Sequence, residues 1–130
     1  MSINTFLKIG GAVAVLFGIA WLVAPRFMAD TYGVLTIGHA ILLIRFLGLT
    51  SIGWGLVAVL VSQSTDWTAL RGAVVGSAVA NLLGVVVSTW YTVHGALNTV
   101  GWSAVILYGI FFLGFGYYAM NGQTLVEQRA

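Results

Sequence analysis

Between Arg71 and Glu127 the chain runs for 55 residues without an Asp, Glu, Lys or Arg. A soluble globular chain carries charge at roughly a quarter of its positions; here the figure is 6% over the whole sequence. A bilayer span takes roughly 20 mostly apolar residues, so the stretch is long enough for two spans and a turn. The solvent this chain is written for is lipid. The same feature removes most of the acid, base and nucleophile chemistry that a catalyst needs, so a non-catalytic role is expected.

Composition narrows the remaining classes. The chain has no Cys, which rules out disulfides, thiolate metal sites and Cys nucleophiles. Its net charge of +2 rests on five Lys and Arg against three Asp and Glu, with no basic cluster of the kind nucleic acid requires. At 130 residues, one membrane domain spanning 1–130 is expected. Lys8 followed by Ile9–Ala24 has the outline of a signal peptide. The apolar run, however, reaches Pro25-Arg26 without a small-residue cleavage pattern. It reads as a retained first span.

Four apolar segments follow, at about 4–24, 39–62, 69–93 and 99–121. Only helices or closed barrels cross a bilayer, and no segment shows the strict alternation of a barrel strand. The expected fold is an all-α integral membrane four-helix bundle. Short connections make sequential spans antiparallel neighbours. Loop one, Pro25–Gly38, is the longest connection. Pro25 at a first helical position and Gly33 just past an end predict a short helix there, and Phe27, Met28 and Tyr32 suit the interface. Asp66 is placed to cap the third span. The tail from Gly122 onward is polar and is expected to fray.

Aromatic and basic residues orient the map. Trp21, Trp90 and Trp102 gather at the end of loops one and three, and Trp67, Tyr117 and Tyr118 at the other end, as interface residues do. Trp54 falls mid-span, where its N–H needs a partner. Lys8, Arg71 and Arg129 on one side outnumber Arg26 and Arg45 on the other, which favours both termini in the cytoplasm.

Seventeen glycines supply the next signal. Helices in lipid associate by close packing over small residues. The third span carries Gly72, Gly76, Ala80, Gly84 and Ser88, four apart, a GxxxG-type ridge. The first carries Gly10, Ala14 and Gly18. The second alternates threes and fours through Gly48, Ser51, Gly55 and Ala58, which suits a left-handed crossing. These faces either pack one bundle or meet another chain, a partner or a second copy.

Polar residues within the spans are few. Ser77, Asn81 and Ser88 form a stripe on the third span, and Thr92 extends it. Asn81 either bonds a neighbouring helix or lines a cavity for a ligand or solute. Arg45 sits about two turns into the second span, and intramembrane charges are functional suspects. It either snorkels to the interface or pairs with Asp30 and clamps loop one over the bundle mouth. His39 and His94 do not form a ligand-spaced cluster, so no metal or cofactor is expected.

Pro25-Arg26 with Tyr32-Gly33, Arg45-x-x-Gly48, Leu70-Arg71 and Gly95-x-Leu97-Asn98-x-x-Gly101-Trp102 together resemble small four-span membrane proteins of the DoxX-like kind. That resemblance implies a four-helix fold in a bacterial inner membrane and carries no catalytic residues. Two roles are expected to compete: an accessory or self-associating subunit, and a channel or carrier for a small solute along Ser77, Asn81 and Ser88.

Overall fold

The computed structural model describes residues 1–127. Among them the chain forms α1 (Ile3–Val23), α2 (Pro25–Tyr32), α3 (Ala40–Val61), α4 (Trp67–Val93) and α5 (Gly101–Glu127). All but α2 are long and apolar enough to cross a bilayer, which makes this an all-α polytopic membrane protein. Local chemistry sets the ends. Ser2 Oγ accepts the Thr5 amide at the start of α1, and Asp66 Oδ1 accepts the Thr68 amide at the start of α4. Pro25 opens α2, and Gly33 closes it in the left-handed region at φ 73°.

The tail differs from the expectation of fraying. α5 continues through Glu127, because nothing after Gly122 breaks a helix and two residues there have somewhere to pack. Leu125 and Val126 lie against the core, and Trp67 covers Gly122. Arg129 lies outside the described residues.

The bundle is built from two tight antiparallel pairs, α1 with α3 and α4 with α5, which meet each other only sparingly. The two pairs use glycine differently. In the first, backbone meets backbone. A Cβ built on Gly55 would stand 2.5 Å from the Gly11 carbonyl oxygen, and one on Gly48 would stand 2.6 Å from that of Gly18. The contacts are reciprocal, since Gly11 and Gly18 meet the Gly55 and Gly48 carbonyls in the same way. Both helices therefore repeat at seven residues, the period of a left-handed pair. On α1 the contact row is Gly11 and Gly18, not the four-residue row through Gly10 and Ala14. Gly10 instead looks across to Phe115, 3.0 Å from where its Cβ would be.

In the second pair, aromatic rings lie on glycines. Tyr108 of α5 covers Gly84 of α4, and Trp67 of α4 covers Gly122 of α5. The lower part of the four-residue ridge on α4 has no such partner. Gly72 faces open space, Ala80 is exposed, and Gly76 meets only the ring edge of Trp54 from α3, 3.8 Å from its notional Cβ.

The pairs join at the end that holds the N-terminus. Phe6 of α1 makes an edge contact with Phe115 at 4.7 Å between ring centroids and also meets Phe111 and Tyr118. Gly114 gives Phe6 room to enter α5. Leu7, Leu70 and Val74 fill the space beside these rings and are fully buried. Polar ties finish the plug. Tyr118 Oη donates to the Met1 carbonyl (2.7 Å), and Asn4 Nδ2 lies within hydrogen-bond distance of both the Ser62 and Ser64 carbonyls. Those bonds take up carbonyls left over where α3 ends.

Gly55→Ala is expected to force α1 and α3 apart and to destabilise the fold by about 1–3 kcal/mol. Gly53→Ala, at a site open to lipid, should change little. Unfolding of both variants in mixed micelles with increasing dodecyl sulfate checks this; equal unfolding midpoints would sink it. Asn4→Ala should cost about 1–3 kcal/mol in the same measurement through the carbonyls it leaves unbonded.

Candidate functional site

Above the aromatic plug the two helix pairs diverge, and a cleft of about 600 Å³ lies between them. That volume is in the range of small-molecule sites. Its floor is formed by residues shared with the plug or next to it: Ala58 of α3, Phe115 of α5 and Ser77 of α4. At its far end are Trp21, Tyr32, Val34 and Leu97. The walls are apolar and aromatic, and among the described residues no Asp, Glu, Lys, Arg or His lines it.

That far end is strapped. Tyr32 of α2 stacks on Trp21 of α1 with centroids 5.8 Å apart. Asn98, in the turn between α4 and α5, donates its backbone N–H to the Tyr32 carbonyl (3.0 Å) and its side-chain Nδ2 to the Thr31 carbonyl (2.9 Å). Its Oδ1 accepts the Val100 amide. One asparagine thereby fixes the short interfacial helix to the second helix pair. Gly33 packs directly against Asn98, which its small size allows.

Between plug and strap the cleft is flanked by exposed side chains, Phe17 of α1 and Tyr108 of α5 among them. Leu47, Thr50 and Trp54 on α3 and Val87 and Tyr91 on α4 line the cleft and are themselves exposed. They border the gap between these two helices, and that gap faces the bilayer.

The polar stripe on α4 divides into two halves. Ser88 Oγ bonds back to the Gly84 carbonyl and Thr92 Oγ1 to the Ser88 carbonyl. These hydroxyls are satisfied within their own helix. The lower half is not. Asn81 Nδ2 donates to the Ser77 carbonyl at 2.7 Å, a bond within α4 rather than to a neighbouring helix. Its Oδ1 takes no hydrogen bond among the described residues. Ser77 is 1% exposed, and its Oγ has no partner at all. Of the buried serines Ser62, Ser77 and Ser88, only Ser77 is left in this state.

The other expected site residues are dispersed. Ala14 lines the cleft, and Gly84 lies in its wall beneath Tyr108. Arg45 does not approach it. Its side chain borders a separate notch of about 360 Å³ together with Arg26, Phe27 and Ile41. Among the described residues no ion pair joins Arg45 to Asp30, and Asp30 is exposed on α2. The clamp on loop one is Asn98 instead. The backbone N–H and the neutral side-chain amide of one residue reach two carbonyls there without desolvating a charge. His94 stacks on Trp90 and bonds its carbonyl through Nδ1 at 2.8 Å. Among the described residues no three His, Asp or Glu side chains gather where a metal could be held.

No family model, curated protein or solved structure matches this chain.

Asn98→Ala is expected to release α2 while leaving the four long helices intact. Hydrogen exchange in detergent micelles should show the amides of 28–34 exchanging faster, with those of 51–60 unchanged. Unchanged protection of 28–34 would remove Asn98 from its role as strap.

Proposed function

We propose that this membrane protein is a non-catalytic carrier or binding protein that takes a small molecule into the cleft between its helix pairs. The observation that carries this reading is the cleft itself. Two pairs that pack closely inside each pair are held apart from one another over much of their length. Lipid-solvated helices gain nothing from leaving such a gap, since van der Waals contact is a main source of their association. The aromatic and apolar walls suit a molecule dissolved in the bilayer, and the exposed gap between α3 and α4 gives it a way in.

Filling the cleft tests the reading. Ala14→Phe adds a ring to the cleft wall, one turn from Gly11 and one turn from Gly18. In proteoliposomes, uptake of a small neutral solute such as glycerol, or retention of a bilayer-soluble one such as farnesol, is expected to fall at least roughly fivefold, as steric exclusion from a packed site predicts. Wild-type protein that shows neither activity above empty liposomes would sink the proposal.

The outer face of α4 supports a second reading. Gly72, Gly76 and Ala80 are exposed there with almost nothing against them, and small residues on a lipid-facing surface admit another helix closely. On this reading the chain is an accessory or self-associating subunit. Native mass spectrometry of gently solubilised protein should then show a second chain that Gly76→Leu removes, with the monomer still folded. A strictly monomeric wild type would count against it.

A further inference from the structure

Resting on the reading of the cleft as a ligand site, we infer that its occupant is an uncharged amphiphile from the bilayer. Its head is a hydroxyl that accepts from Ser77 and donates to Asn81, or a carbonyl that accepts from Ser77 alone, and its hydrocarbon body lies along the aromatic walls above them.

The first argument is the orphaned hydroxyl. Ser77 Oγ lines the cleft, is almost wholly buried and has no protein partner. Buried polar atoms are nearly always bonded, and an unbonded hydroxyl in an apolar medium is costly. A helical serine has a ready remedy in the carbonyl one turn back, and Ser62 and Ser88 both bond to carbonyls of their own helices. Ser77 does not. One turn nearer the mouth, Asn81 leaves its Oδ1 unbonded while its Nδ2 is anchored on the Ser77 carbonyl. The two side chains together offer an O–H donor and a carbonyl acceptor, the complement of a head that both accepts and donates.

The second argument is depth and charge. Ser77 is ten residues into α4, roughly 15 Å along its axis at 1.5 Å per residue. That is about half of a hydrocarbon core of roughly 30 Å. With no charged side chain in the cleft among the described residues, an ionised head brought to this depth would lose its hydration and find no counter-charge. A phosphate, carboxylate or ammonium is excluded on that ground, and a neutral hydroxyl or carbonyl is not. The third argument is the route: exposed cleft residues border the gap between α3 and α4, on a flank of the bundle between plug and strap. A head seated at the floor leaves its hydrocarbon body to pass Trp54, Phe111 and Tyr108 toward that gap.

The test uses full-length protein in nanodiscs and three neutral probes: tritiated farnesol, a decyl-benzoquinone and monoolein. Farnesyl phosphate serves as the charged control. Saturable binding of at least one neutral probe is expected, with farnesyl phosphate bound at least roughly tenfold more weakly. Ser77→Ala should weaken the bound neutral probe by roughly tenfold, about one hydrogen bond. It should also raise the thermal midpoint of the probe-free protein, since it removes an unsatisfied hydroxyl. A serine that mattered only to folding would not move the two readouts in opposite directions.

Binding lost in Ala14→Phe but untouched in Ser77→Ala would leave the cleft as a ligand site and overturn the head assignment. Tighter binding of farnesyl phosphate than of farnesol would overturn the neutral class. No saturable binding of any neutral probe would also overturn this inference, and the proteoliposome result for glycerol would then decide whether the cleft itself survives as a site.

Discussion

The contact of two helix backbones at Gly11–Gly55 and Gly18–Gly48 is the constraint on which the rest of the bundle depends. In lipid no hydrophobic force drives helices together. What holds α1 to α3 is dispersion across an interface with no side chain at its closest points, summed over many weak contacts. That pair is stiff because it is close. The second pair reaches the same end by laying Tyr108 and Trp67 over glycines. Once each pair is satisfied internally, little surface is left to bind one pair to the other. The main joint is the aromatic plug around Phe6 and Phe115, with the Asn98 strap at the other end, and the cleft is the geometric remainder.

Much of this was legible in the residues. The charge-free stretch after Arg71 and the three other apolar runs dictate four helices. Pro25 and Gly33 mark the short one, and Asp66 marks the start of α4. Gly48 and Gly55 were visible as a packing row because threes and fours alternate along α3. Their partners were harder to read. α1 offers both Gly10 and Gly11, and a choice between adjacent residues is a rotation of about 100° about the helix axis. Only the position of α3 decides it.

The site was half legible. Ser77, Asn81 and Ser88 share a helix face by spacing alone, and that face does line the cleft. Spacing could not tell that Ser88 bonds back to its own helix while Ser77 does not, because both have a carbonyl one turn away. Nor could it show that Asn98, in the seven-residue connection between α4 and α5, would reach loop one. That bond joins positions 67 apart in sequence, a pairing that exists only after the helices have assembled. Arg45 and Asp30 drew attention as opposite charges near one rim. In the fold Arg45 shares a notch with Arg26 and Asp30 remains solvated, since an exposed pair at an interface gains little over hydration.

The absence of charge along the cleft has an electrical consequence. A neutral body that moves within a wall carrying no formal charge displaces no charge, so it does no work against the membrane potential. Nor, among the described residues, does a carboxyl, amine, guanidinium or imidazole side chain line the cleft. On the proposed reading, occupancy of the cleft by a neutral ligand is electrically silent and carries no proton with it. It follows the concentration of its ligand in the bilayer and nothing else that an energised membrane supplies.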